Sequence, residues 1–191
     1  MTPLNSPTLI TERINLTAFT PEVYTYAFNN LNDAEIKELF GHRTDEELAI
    51  EKDRFEKGMT TFNKSFLYFQ LREKNTNRFL GWCGYHTWYF THYRAEIFYM
   101  LVDESDRRKG LISEAIIAVL NYGFNEMSLI RVEAFVGEEN AASNATLKKF
   151  GFIQEGIFRK HYHYKGENTD SIAFGLLKEE FEFTNKTPTR L

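Results

Sequence analysis

The chain has 191 residues, 42% hydrophobic and 26% charged, a length and balance that suit one compact globular domain with a sizeable core. Its formal net charge of −4 sets up no global field for nucleic acid or an anionic membrane, so neither partner is expected and a cationic one is better served. A single cysteine, Cys83, excludes an internal disulfide, and the longest apolar run, AIIAVL at 115–120, falls far short of a membrane span. The first residues, MTPLNSPTLI, lack the charged-then-apolar pattern of a leader, and a cytoplasmic protein is expected.

No repeat, low-complexity tract or Pro/Gly/Ser linker divides the chain, so residues 1–191 read as one domain with a core from about 10 to about 181. Residues 12–19, ERINLTAF, alternate polar and apolar as a strand does, and 21–61 carries helical patterns such as PEVYTYAF and EELAIEKDRFEKGM. After Asn63 the texture turns aromatic and β-rich. FLYFQLRE, RFLGWCGYHTWYF and AEIFYMLVD, separated by the turn-like KNTN and THYR, predict an antiparallel meander.

From Gly110 the apolar positions Ile112, Ala115, Ile116, Val119, Leu120, Phe124 and Met127 keep three-four spacing, which predicts a helix. A strand IRVEAFVG follows, then a short helix opened by Asn140 and closed at Gly151, then strands at 153–164 and 169–177. The order β-α-α-β-β-β-α-β-α-β-β is that of an α+β protein: a mixed, mostly antiparallel sheet with helices on both faces.

The stretch DRRKGLISEA at 106–115 sets Arg107, Arg108 and Lys109 before a glycine at the mouth of the long helix. Unpaired amides and the dipole at a helix start favour an anion, and a glycine allows close backbone approach, so a pyrophosphate is the expected guest. A solvated cationic surface loop is the plainer alternative. Neither GxxxxGK[ST] nor a GxGxxG after a strand occurs.

These residues resemble the GNAT superfamily of acyl-CoA-dependent N-acetyltransferases, and within it the RimJ/RimL branch. Arg107, Gly110 and Ile112 stand where that superfamily's pyrophosphate loop has Arg or Gln, Gly, and Gly or Ala; Ile112 departs from the small final residue. Val102 matches a Val common in the preceding strand, and Asn140, Ser143, Gly151 and Phe152 match a second cofactor motif. The resemblance continues through Glu155, Gly156, Gly166 and Asp170.

The resemblance implies acetyl-CoA as co-substrate, no metal, and direct transfer to an amine. Pyrophosphate falls to Arg107, Arg108, Lys109, Gly110, Leu111 and Ile112, and the pantetheine arm to the backbone of Met100, Leu101 and Val102, with Asn140 and Ser143 completing the site. Many members carry a Tyr acid seven residues after the Asn; here Leu147 stands there, and Ser143 is the candidate acid for the departing thiolate. Glu96 is the candidate base, acting directly or through water, and strand alternation sets it on one face with Phe98 and Met100. Phe98 replaces a Gly common in the branch, which narrows the acceptor pocket, and Tyr162 stands where some members have a glutamate.

The branch suggests a protein N-terminal α-amine as acceptor, as on ribosomal proteins; a small amine such as an antibiotic, a polyamine or an amino-acid conjugate is the alternative. A groove open between the N-terminal helices and the 164–168 turn favours a peptide, a closed aromatic pocket a small amine. A non-catalytic acyl-CoA sensor is the reading from another class, and a homodimer is a family-level expectation. Trp82, Trp88, Tyr85 and Tyr89 are candidates for either cleft or core. Cys83 reads as buried and inert, and His161 and His163 as aromatic-packed or exposed, since no third metal ligand is evident.

Overall fold

The computed structural model describes residues 6–164 and 166–181, with the Tyr164 side chain left aside. Among the described residues the chain divides into two compact units: one runs to Thr91 and includes Phe98–Leu120, the other holds His92–Ile97 and the described residues from Asn121 onward.

In the first unit β1 (Thr8–Ile10), β2 (Ile14–Phe19), β3 (Lys64–Glu73) and β4 (Phe79–Tyr89) pair antiparallel in sequence order. The short β1 adds a strand that the sequence pattern does not announce. Between β2 and β3 lie α1 (Pro21–Asn30), α2 (Asp33–Phe40) and α3 (Asp45–Glu56), three helices where two are expected. The extra break comes from a capping box at Asn32 and Glu35 and another at Thr44 and Glu47, each satisfying orphan amides at a helix start. Between them Gly41, at φ +77°, ends α2 in the left-handed conformation. Phe19, Tyr24, Ile36, Phe40, Leu48 and Phe66 form the core beneath these helices.

Strand β5 (Arg94–Leu101) and helix α4 (Leu111–Asn125) run through both units. Along α4 the buried positions Leu111, Ala115, Ile116, Val119, Leu120 and Phe124 reproduce the expected three-four stripe.

The second unit holds β6 (Arg131–Val136), α5 (Ala141–Lys149), β7 (Ile153–Tyr164) and β8 (Glu167–Leu177). β6 lies parallel to β5 over Arg94–Glu96 and antiparallel to β8, which pairs antiparallel with β7. The strands thus form a mixed, mostly antiparallel sheet in order β1-β2-β3-β4-β5-β6-β8-β7. Val132, Ala134, Leu147, Phe152, Phe174 and Leu176 are buried here. β7 loses register between Phe158 and Tyr162, where Lys160 takes φ +52° and donates its amide to Asp170 Oδ1 at 2.7 Å.

Candidate active site

In the first unit the cationic loop is fixed by the charges around it. Asp106 is 2% exposed and accepts from both guanidinium nitrogens of Arg78, at 2.7 and 3.0 Å, and from Lys109 Nζ at 3.4 Å. The Arg78 hydrogen bonds hold the Asp106 carboxyl below its ordinary value and push the Arg78 guanidinium up. Arg43 grips Asp103 with two bonds of 3.1 and 2.7 Å. From the β1–β2 turn, Arg13 donates to the Lys109 carbonyl at 2.8 Å and to Glu114 at 2.7 Å, locking the loop to the first turn of α4.

Of the three cations, Arg107 rests on Glu104 at 3.1 Å, while Arg108 is exposed with no side-chain partner among the described residues. Arg108 at φ +60° and Gly110 at φ +79° are both left-handed, curling the backbone into α4. There the amides of Leu111 and Ile112 have no intrahelical acceptor. A side chain on Gly110 would be strained by that φ and would press on the Arg13 guanidinium 3.3 Å away. The combination of free cation, curled backbone and helix start can hold an anion. It fits a pyrophosphate.

Just upstream, β4 and the end of β5 approach closely. A Cβ on Gly81 would lie 2.1 Å from the Met100 carbonyl oxygen, and the Val102 amide donates to the Leu80 carbonyl at 3.0 Å. Met100 is half exposed, and Leu101 and Val102 are half-buried.

The same stretch borders a cavity of about 460 Å³, walled by Tyr24, Phe40, Tyr68, Phe79, Trp82 and Phe98, with Met100 and Val102 at its edge. Phe98 meets Tyr68 edge-on at 4.8 Å, and Trp82 meets Phe19 edge-on at 5.0 Å. Its charges are largely engaged: Glu51 accepts from Arg54 at 3.0 Å and from the Tyr24 phenol, and Glu47 accepts the Arg43 amide at 2.6 Å. Burial pushes His42 and, with help from Lys64, His86 below the usual imidazole value, so both favour the neutral form. His42 Nδ1 is buried without a hydrogen-bond partner among the described residues. Of the other ring candidates Tyr85 belongs to the core and donates to the Val119 carbonyl at 2.9 Å, while Trp88 packs on Phe90. Cys83 is buried, its thiol pushed up by desolvation.

In the second unit Asn140 caps α5, its Oδ1 accepting the Ser143 amide at 3.1 Å. Ser143 is half-buried and its hydroxyl makes no hydrogen bond among the described residues. Leu147, in the place of the family's tyrosine, is buried. Glu96 stands opposite Glu133 in the β5–β6 register. Burial, then the Glu133 carboxylate, push the Glu96 carboxyl up to about 7, against a smaller pull from Arg94. Tyr162 is close enough for the Glu96 charge to raise its phenol, after burial, above the ordinary value. His161 packs among Phe135, Phe158 and Tyr162, its Nδ1 3.0 Å from Ser171 Oγ, and His163 Nδ1 lies 2.9 Å from Asn168 Oδ1.

Glu133, Glu51 and the loop anchor Asp106 are not among the residues that the sequence pattern singles out. Glu133 had a signal, since Arg131 and Glu133 alternate in an otherwise apolar strand. Glu51 follows Leu48 and precedes Phe55 at three-four spacing, which sets it on the inward side of α3. Of the 164–168 turn, residue 165 lies outside the described residues.

The family description "Acetyltransferase (GNAT) domain" matches residues 13–153. The uncharacterized N-acetyltransferase YoaA of Bacillus subtilis (strain 168) is 28% identical over 173 residues, 90% of this chain and 97% of that protein. The spermidine N(1)-acetyltransferase of Escherichia coli (strain K12) is 27% identical over 97 residues, 51% of this chain and 52% of that protein. Among solved structures, a putative ribosomal-protein-serine acetyltransferase from Vibrio cholerae superposes with TM-score 0.62 at 20% identity, covering 93% of this chain and 99% of that one.

Proposed function

The chain belongs to the GNAT acetyltransferase family, and we propose that it moves the acetyl group of acetyl-CoA to the primary amine of a small molecule seated in the aromatic cavity of its first unit. One observation carries this reading. Phe98, Met100 and Val102 border the cavity and lead directly into the anchored cationic loop, so the acceptor cavity and the donor's pyrophosphate loop share one stretch of chain. Rings enclose an apolar amine body and tolerate an ammonium on their faces until it loses its proton. His42 Nδ1 is available to a hydroxyl or second amine on the acceptor.

In this reading Arg107, Arg108, Lys109 and the amides of Gly110, Leu111 and Ile112 hold the pyrophosphate. Backbone groups of Met100, Leu101 and Val102 hold the pantetheine arm, and Asn140 shapes the start of α5. The amine nitrogen attacks the thioester carbonyl and the carbon–sulfur bond breaks. Glu96 takes the amine proton, and Ser143 delivers a proton to the departing thiolate. Residues 1–191 then work as one acetyltransferase domain, in the cytoplasm, without a metal.

The RimJ/RimL-like pattern of motifs favours a second reading, with a protein N-terminal α-amine as acceptor. The test is thiol release from acetyl-CoA over a panel of small amines and N-terminal peptides, beside calorimetry of CoA with the wild type and Ser143→Ala. CoA binding with turnover of small amines supports the proposal. Turnover of peptides alone moves the acceptor to the second reading, and tight CoA binding with no turnover leaves an acyl-CoA sensor.

A further inference from the structure

In the first unit the three residues that join β1 to β2, Thr11, Glu12 and Arg13, hold the start of α4 from outside. Glu114, in the first turn of that helix, has a side chain only 15% exposed. It accepts from the Arg13 amide and from Arg13 Nε, each at 2.7 Å, and meets the Thr11 hydroxyl. Burial pushes its carboxyl up, but the bonds from Thr11 and Arg13 outweigh that and hold it below its ordinary value, so Glu114 is a full negative charge at neutral pH. A carboxylate there competes with any other anion for the positive end of the helix dipole. The Arg13 guanidinium offsets it.

The same guanidinium orients a peptide. Its Nη1 donates to the Lys109 carbonyl at 2.8 Å. The carbonyl and the N–H of a trans peptide point in opposite directions, so this bond turns the Gly110 N–H away from Arg13. That amide meets no acceptor among the described residues. Arg13 Nη2 likewise makes no bond among the described residues, and it stands beside Gly110, 3.3 Å from where a Cβ would lie.

We propose that Arg13 is a positioning residue for the acyl donor: it aims the Gly110 amide at the pyrophosphate and offsets the Glu114 charge that would repel it. This rests on the reading of residues 107–112 as the pyrophosphate loop. A plain structural clamp predicts that loss of either partner of the Arg13–Glu114 pair has the same effect. A positioning role separates them. Loss of Arg13 frees the peptide and leaves the carboxylate unscreened, whereas loss of the Glu114 charge removes a repulsion.

The experiment is calorimetry of CoA, with pantetheine as the matched probe that lacks the pyrophosphate, beside urea unfolding of each ligand-free variant. Wild type should bind CoA at least about 10-fold more tightly than pantetheine. In Arg13→Gln CoA binds about 10-fold more weakly and pantetheine as before. In Glu114→Gln CoA binds as tightly as in wild type or more so, although both variants unfold at lower urea. In Arg13→Lys, which keeps the charge without the two-armed grip, CoA weakens about 3-fold. Equal losses of CoA affinity in Arg13→Gln and Glu114→Gln, or wild-type affinity in both Arg13 variants, overturns the proposal. A wild type that binds CoA and pantetheine alike removes the pyrophosphate reading itself, and the proposal with it.

Discussion

The aromatic cavity of the first unit and the β5–β6 register of the second handle polar groups in opposite ways. Around the cavity the carboxylates are closed into caps and pairs, Glu47 on the start of α3 and Glu51 with Arg54 and Tyr24, and both imidazoles favour neutrality. Where β5 meets β6, Glu96 faces Glu133 across the register, and burial with that like charge pushes the Glu96 carboxyl up to about 7. The difference separates two tasks. On the proposed reading, the cavity selects the acceptor through packing, while Glu96 governs when a proton can be taken. Variants in the cavity should change acceptor choice and leave pH profiles alone, and variants at Glu96 or Glu133 should do the reverse.

The largest effect expected is from Glu96→Gln, which lowers kcat/KM by about 10²- to 10⁴-fold while CoA affinity by calorimetry stays put. A loss of CoA binding in that variant would mean that Glu96 acts on the fold rather than on the proton.

Stability gives the next effect. Folding raises the Glu96 carboxyl from 4.5 to about 7, so the neutral form is favoured in the folded state. Its contribution is full below the unfolded value and is lost as pH rises through the folded one. Relative to wild type, Glu96→Gln should gain stability between pH 4.5 and about 7, by up to roughly 3 kcal/mol. Denaturant titrations at pH 4 and pH 8 check this; a pH-independent difference would count against the elevated carboxyl.

Phe98→Ala acts on the cavity wall. Opening the cavity wall should raise KM for a small apolar amine about 10- to 100-fold and admit bulkier amines, with the pH profile unmoved. Smallest is Gly110→Ala, where a left-handed backbone costs about 1 kcal/mol and CoA binds about 5-fold more weakly. An unchanged Kd there would show that the curl at Gly110 is not used by the donor.

Local signals were the legible ones. The stripe of α4, the cations before Gly110 and the Asn140 cap each lie within a few residues of one another, where spacing decides geometry. The extra helix α2 was also written locally, in the capping box of Asn32 with Glu35 at its start and in Gly41 at its end, although only the helical patterns that became α1 and α3 were expected. What was illegible depends on pairing between distant segments. Asp106 looks like an ordinary loop acid until Arg78, 28 positions earlier, is brought onto it. Glu133 becomes the neighbour of Glu96 only through a parallel register that no turn specifies. The high aromatic content pointed to a core or a cleft, and the split of Tyr85 to the core and Trp82 to the cavity wall follows from the sheet's pairing.

On the proposed reading, this GNAT enzyme acetylates a small amine held by rings next to its donor loop. That reading is tested most directly by measuring kcat/KM side by side for a small arylalkyl primary amine and for peptides with free alanine or serine N-termini, at saturating acetyl-CoA. Turnover of the small amine should be at least 10-fold more efficient than that of any peptide and should fall in Phe98→Ala. Efficient turnover of a peptide, unchanged in Phe98→Ala, would contradict it.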